Sequence, residues 1–401
     1  MSKKKTIKDV NFKGKRVFCR VDFNVPIKNG VISDDTRITA ALPTLKHIMN
    51  AGGRLILASH LGRPDGEVNK EFSLKPCADH LAKLLGKPVA FADDCVSPEA
   101  LAAANALKDG DVLVLENVRF KKAETLKKTD DPAYVDFSKK LASMADIFVS
   151  DAFGTAHRAH ASMVGVAQQL PVRVAGLLME KEIDYLAGAI SNPKRPMVVI
   201  LGGKKVSDKI KVIENLLNIA DAILIGGAMA YTFSLAQGGK VGKSLVEPDL
   251  VETAKRFIDT AKANGKELLL PVDTMIADDF SATAKTQVVA SGAIPDGWEG
   301  LDIGPKTIKL YSDKIKGAKL VIWNGPMGVF ELAPFAVGTD AIAEAIIGSG
   351  AISIIGGGDS VSAIHKSGKA DKITHISTGG GASLELLEGR KMPGIDVLDN
   401  A

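Results

Sequence analysis

At 401 residues the chain exceeds what one hydrophobic core usually organises, roughly 250–300 residues, so two domains are expected. A hydrophobic share of 46% beside 24% charged residues excludes extended disorder. The formal net charge of +4, from 51 basic and 47 acidic residues, excludes a broad nucleic-acid or membrane surface, so any anion site must be local.

In chain order, the opening MSKKKTIKDV is basic but lacks the apolar stretch of a signal peptide, which predicts a cytoplasmic protein. Apolar, β-branched runs at 16–21, 55–58, 112–115 and 147–149 read as buried strands with helical stretches between them. Polar punctuation follows the strands: VDFN at 21–24, SHLGR at 59–63, ENVRF at 116–120 and DAFGTAHRAH at 151–160. The segment 177–196 carries a charged helical pattern, EKEIDYL, and ends in SNPKRP, which breaks a helix. It predicts the join between a domain of 1–176 and a domain of 197–384. In the second half, runs at 197–201, 222–225, 267–270, 320–323 and 352–355 repeat the habit, with an amphipathic segment at 210–217. Its strand-end loops are LGGKK at 201–205, NGPMG at 324–328 and GGGDS at 356–360. The uncharged stretch 222–239 is too broken by glycine and hydroxyl residues to span a membrane. The fold class is therefore α/β, with two doubly wound, Rossmann-like parallel sheets.

Arginine is lopsided: Arg16, Arg20, Arg37, Arg54, Arg63, Arg119, Arg158 and Arg173 precede residue 174, and only Arg195, Arg256 and Arg390 follow. Its planar fork matches phosphate and carboxylate. A single arginine is more often a surface residue, but Arg37, Arg63, Arg119 and Arg158 sit with Asp22, Asn24 and His60 around strand ends, which predicts a small-anion site. His157 and His160 flank Arg158 as further donors, and no general base is assigned. Cys19, Cys77 and Cys95 lack CxxC spacing and read as reduced structural thiols.

In LGGKKVSDKI, paired glycines let backbone approach a phosphate, and Lys205 and Lys209 are read as lying one helical turn apart on one face. The sequence GKS at 242–244 is not a phosphate loop, because Gln237 stands where the upstream glycine is required. Asp359, after three glycines, suits a Mg²⁺ ion shared with substrate phosphates, and Ser360 offers a hydroxyl. Glu331 suits ribose hydroxyls; the alternative for it is a plain exposed glutamate at a helix start.

RVDFNVP, SHLGRP, LENVRF, DAFGTAHRAHAS, GGKKVSDKI, WNGPMGVFE and GGGDS, in this order and spacing, resemble the phosphoglycerate kinase family from residue 20 to residue 390. The resemblance implies two domains facing across a cleft and joined by a hinge helix, with a tail from about 385 returning to the first. It implies reversible phosphoryl transfer between 1,3-bisphosphoglycerate and ADP, giving 3-phosphoglycerate and ATP, in a monomer with Mg²⁺ as cofactor and with no nucleic-acid or membrane partner. Asp22, Phe23, Asn24, Arg37, His60, Leu61, Gly62, Arg63, Arg119 and Arg158 would bind phosphoglycerate. Lys209, Gly300, Glu331, Gly357, Gly358, Asp359 and Ser360 would bind the nucleotide, with Asp359 toward the metal. Arg37, Lys205 and Lys209 would act on the transferring phosphoryl group after domain closure.

Ser360, Ser150, Ala228 and Lys121 stand where the family usually has Thr, Asn, Gly and His. Lys121 and Lys122 add charge beside Arg119. Two rival readings exist. A closing binding protein would not need Asp359 opposite an arginine cluster, and an NAD-dependent dehydrogenase would need a GxGxxG fingerprint that this chain lacks.

Overall fold

The structure is a computed structural model describing residues 2–401. The chain packs as two compact units, Met1–Asp184 with Lys391–Ala401, and Tyr185–Arg390.

In the first unit, β1 (Arg16–Val21), β2 (Arg54–Ala58), β3 (Ala90–Ala92), β4 (Val112–Leu115), β5 (Ile147–Asp151) and β6 (Arg173–Ala175) form one parallel six-stranded sheet. β1 lies between β2 and β5, with β4 and then β3 beyond β2, and β6 beyond β5. A parallel sheet is covered on both faces, which is why β1 is buried from Val17 to Val21 rather than alternating. Val17, Cys19 and Val21 pack with Leu55, Leu57, Val112 and Val114 and with Ile38, Leu45 and Ile48 of helix α1 (Thr36–Asn50). Phe18 points the other way and stacks on Phe148 with ring centroids 6.2 Å apart. Each such large apolar side chain contributes about 1.5–3 kcal/mol. The three cysteines are free and buried, and burial pushes the Cys77 thiol up to about 12.

Strands β3 and β6 are absent from the sequence reading because each is three residues long, too short for an apolar run. β6 is held from outside: Thr6 bridges to Ala175, and Asp399 accepts from Arg173 Nε at 2.9 Å. The residues from Lys391 onward thus complete the first unit, with Gly394 N donating to Ala156 O at 2.8 Å.

The segment from Leu177 to Ser191 is helical, α-type at each end with a π-type stretch at Ile183–Ala187. Asp151, at the end of β5, caps its start by accepting from the Leu178 and Met179 amides at 3.0 and 3.1 Å. Burial lifts this carboxyl from 3.8 to about 7 despite those bonds. A raised folded-state value stabilises the fold below 3.8, and that contribution is lost as pH rises through about 7. Asp151→Asn keeps the accepting oxygen and places an amide where Oδ2 has no partner. It is expected to change the denaturation midpoint little at pH 5 and to raise it at pH 8. Equal destabilisation at both pH values would contradict a buried, costly carboxylate.

In the second unit, β7 (Met197–Leu201), β8 (Ala222–Ile225), β9 (Glu267–Leu269), β10 (Leu320–Asn324), β11 (Ile352–Gly356) and β12 (His375–Ile376) form a second parallel six-stranded sheet. β7 and β10 are central neighbours, with β8 and β9 on one side and β11 and β12 on the other. Val198, Ile200, Leu224, Val321, Trp323 and Ile355 form its core.

A three-stranded antiparallel sheet, Thr286–Ala290, Asp273–Ala277 and Glu299–Ile303, adds to this unit and is missing from the sequence reading. Its pattern conceals it. Thr286–Ala290 is largely exposed, while Asp273 and Asp302 are buried carboxylates that accept backbone amides, Asp302 from Gly338 at 2.7 Å.

Candidate active site

In an open parallel sheet, a ligand crevice forms where adjacent strands send their connections in opposite directions. In the first sheet this happens between β1 and β5, and in the second between β7 and β10. The loops leaving these strands are VDFN and DAFGTAHRAH in one unit, and LGGKK and NGPMG in the other.

In the first unit, side chains zip the loops together. Asn24 Oδ1 accepts from Gly62 N at 2.9 Å, Arg119 Nη1 donates to Gly62 O at 2.8 Å, and Asn117 Nδ2 donates to Leu61 O at 2.7 Å. Arg37 Nη1 donates to Asn24 O at 2.8 Å and reaches Asp22 Oδ1 at 3.4 Å. Arg158, exposed, donates from Nε to His157 Nε2 at 2.9 Å.

The electrostatics show cations converging with few counter-charges. Burial, then Arg20 and Arg158, hold Arg119 down to about 10, against weaker support from Glu124 and Asp22. Burial, then Arg20, Arg119 and Arg37, keep His60 well below 6.5, so the ring is neutral. His160 falls to about 3 by burial, then by Arg119, Arg20 and Arg158. Such a cluster is suited to a compact, multiply charged oxyanion.

Phe23 and Leu61, assigned to the substrate from sequence, have side chains in the apolar core at 0% and 4% exposure, so the ligand can meet them only through backbone. Phe23 N in turn donates to Ser59 Oγ at 2.8 Å. Arg63 is exposed and makes no ion pair among the described residues. Lys121 turns to an ion pair with Asp94 at 2.5 Å, and Lys122 lies exposed beside Gly66.

In the second unit, a cavity of about 350 Å³ is lined by Gly202, Gly203, Lys205, Lys209, Asn324 and Asp359, with Gly357, Gly358 and Ser360. A second cavity of about 420 Å³ is lined by Ala228, Tyr231, Leu245, Phe280, Gly300 and Glu331, and shares Gly203, Lys204 and Asp359 with the first. The first is lined by lysines and backbone amides. The second presents Leu245 and Phe280, which are 50% and 59% exposed and leave apolar surface for a flat ring.

Lys209 is buried, and its Nζ donates to Asn324 Oδ1, which leaves Asn324 Nδ2 buried without a partner. Two glycines are required by close approach. A β-carbon on Gly300 would come within 2.2 Å of the Tyr231 hydroxyl, and one on Gly357, at φ 89°, within 2.8 Å of Asn324 Nδ2. Ser360 is fully buried, and its Oγ accepts from Gly325 N at 2.5 Å, so it shapes the loop from within.

One expectation needs correction. Lys205 and Lys209 do not share a helix face, because helix α2 begins only at Ile210 (Ile210–Ile219) and Lys209 is its N-cap. Ser207 pulls the loop aside by bonding Glu247, its Oγ donating to Oε1 at 2.6 Å. Glu331 lies in an exposed turn, not at a helix start. Gly300 lies in the antiparallel sheet, in the strand Glu299–Ile303. Sequence reading also passed over Asn324, although NGPMG stood out, and over Tyr231, Leu245 and Phe280, whose apolar character resembles that of core. Ser244 of the discarded GKS accepts from Gly300 N at 2.9 Å, a supporting role.

Neither site offers an activated nucleophile. Positioning and charge neutralisation alone are how phosphoryl transfer is catalysed, and a phosphotransferase is the class that this fold and these sites define. The sequence profile of the phosphoglycerate kinase family matches residues 7–390. The fold is similar to the solved phosphoglycerate kinase of Coxiella burnetii, with TM-score 0.90, 41% identity and 98% of each chain covered. It is also similar to that of Pyrococcus horikoshii OT3, with TM-score 0.83, 35% identity and 98% of each chain covered. The chain belongs to the phosphoglycerate kinase family.

Proposed function

We propose that the arginine cluster of the first unit binds 3-phosphoglycerate or 1,3-bisphosphoglycerate, and that the paired cavities of the second bind ADP or ATP. Asn24, Arg37, His60, Arg63, Arg119 and Arg158 hold the acid and its phosphate, and Asp22 orients Arg37. Arg37, Lys205 and Lys209 neutralise the transferring phosphoryl group. Gly300, Ala228, Leu245 and Phe280 flank the base, and Glu331 takes the ribose.

The observation that carries this reading is the contrast between the two switch points: converging arginines at one, and lysines with an unpartnered Asn324 amide at the other. A carboxylate or an ADP oxygen is already a competent nucleophile, so transfer needs in-line contact and exclusion of water rather than a base. The reaction therefore requires the two bound ligands to be brought together.

Asp359 fits a divalent cation. It is exposed at the start of helix α3 (Gly358–Lys366) and lines both cavities, while the described residues hold no cluster of three metal-ligating side chains. A Mg²⁺ ion there would take its remaining ligands from phosphate and water and supply charge neutralisation. One chain carries both ligand sets, so the reading is of a monomer acting on small molecules. No helix among the described residues is long and apolar enough to cross a membrane; the proposed cytoplasmic location follows from the family reading alone.

Incubation with MgATP, 3-phosphoglycerate and hydroxylamine is expected to trap the acyl phosphate as a hydroxamate. A folded sample giving none would refute the assignment.

A further inference from the structure

Beneath the anion site lies a buried polar chain that binding of phosphoglycerate does not by itself explain. Glu124 is fully buried, yet it belongs to none of the strand-end motifs. Its Oε2 accepts from Ser162 N at 2.8 Å and its Oε1 from Ser162 Oγ at 2.7 Å. Ser162 Oγ has only one proton and gives it to Glu124, so it is free to accept, and Arg20 Nε donates to it at 2.8 Å. Arg20 is also fully buried. Its Nη1 donates to Val21 O at 2.5 Å and its Nη2 meets His60 Nδ1 at 3.3 Å.

The strand period explains the position. Arg20 shares the Phe18 face of β1, away from Val17, Cys19 and Val21, and is the only charged residue of the strand's buried run. A guanidinium buried there needs a counter-charge, and Glu124 supplies it through Ser162. With no exposed surface, Arg20 is not a ligand of the anion. It can act on substrate only through what it holds.

Arginine has donors and no acceptor, so His60 Nδ1 can only be the accepting nitrogen. The imidazole proton must then sit on Nε2, which has no protein partner among the described residues, while the residue as a whole keeps 4% of its surface exposed. We infer that the Glu124–Ser162–Arg20 chain is a positioning device for the phosphoglycerate site, fixing His60 as a neutral imidazole with its one N–H, at Nε2, presented to the bound anion. A neutral donor adds a hydrogen bond without adding a further cation beside Arg37 and Arg119. The inference rests on the assignment of phosphoglycerate to this cluster, but its first test does not.

That test is long-range ¹H–¹⁵N NMR of the unliganded full-length protein, with His60 assigned through the loss of its signals in His60→Gln. The expected pattern is Nδ1 unprotonated and Nε2 protonated; the reverse tautomer, or a doubly protonated ring at neutral pH, overturns the inference. Arg20→Lys and Ser162→Ala are expected to convert that pattern to a tautomer mixture and to raise KM for 3-phosphoglycerate about tenfold, with KM for ATP unchanged. An unaltered tautomer in a folded variant overturns it.

If those variants do not fold, the side-chain mimics decide. His60→Gln places an amide N–H near the Nε2 position and should keep KM for 3-phosphoglycerate at least about fivefold below that of His60→Asn, whose amide lies near Nδ1. Equal KM values for the two count against the inference. If Arg158→Ala leaves KM for 3-phosphoglycerate unchanged, the ligand assignment fails instead, and the NMR result still decides the tautomer.

Discussion

Lys209→Ala is expected to lower kcat by about two to three orders of magnitude, the usual effect of removing a preorganised donor to developing charge. Lys205→Ala is expected to cut turnover by less, about tenfold, because Lys205 is exposed, whereas Lys209 is buried and hydrogen-bonded to Asn324. Burial brings the Lys209 ammonium down to about 8 from 10.5, with Asp208, Asp359 and Glu388 pulling the other way. In the free enzyme, the protonated form is therefore lost as pH rises through about 8, and kcat/KM for the nucleotide should fall along that limb. Lys209→Arg should flatten the limb, since guanidinium stays charged. An unchanged kcat in Lys209→Ala, or a limb that survives the substitution, would remove Lys209 from the reacting phosphoryl group.

Arg119→Ala is expected to raise KM for 3-phosphoglycerate by about 100-fold while leaving KM for ATP near that of the parent, because one partner of a desolvated charge pair is lost. Stability should hardly suffer. In the unliganded protein, Arg119 is 8% exposed, its Nε is buried without a partner, and Arg20 and Arg158 repel it. The substitution removes that repulsion at the cost of the bond to Gly62 O. A protein that loses affinity without losing melting temperature would show a site kept strained for its ligand. A large fall in melting temperature with normal KM would make Arg119 a structural residue.

The parallel sheets and their loops were legible because covered strands must be continuously apolar and their ends must carry the polar residues, as in β1 followed by VDFN or β11 preceding GDS. Three things were not legible. Glu124 and Ser162 lie in segments with no apolar period, so only the fold reveals that Ser162 links Arg20 to the carboxylate of Glu124. The helical placing of Lys205 relied on spacing, which Gly203 at φ 110° and the Ser207–Glu247 bonds override. Asp273 and Asp302 break the alternation that would have revealed the antiparallel strands, because their burial is supported by backbone amides rather than by apolar neighbours.

The sequence by itself determined the class of fold, the uneven spread of arginine along the chain and the family, because composition, motif order and apolar runs are properties of the chain read locally. The tertiary structure alone decided which of the side chains picked out by motif are exposed and which are buried or paired elsewhere. Phe23, Leu61 and Ser360 turn inward, Lys121 turns to Asp94, and Arg20 is buried against Ser162 and His60. Burial and the direction of a hydrogen bond depend on residues distant in the chain, and no local pattern encodes them.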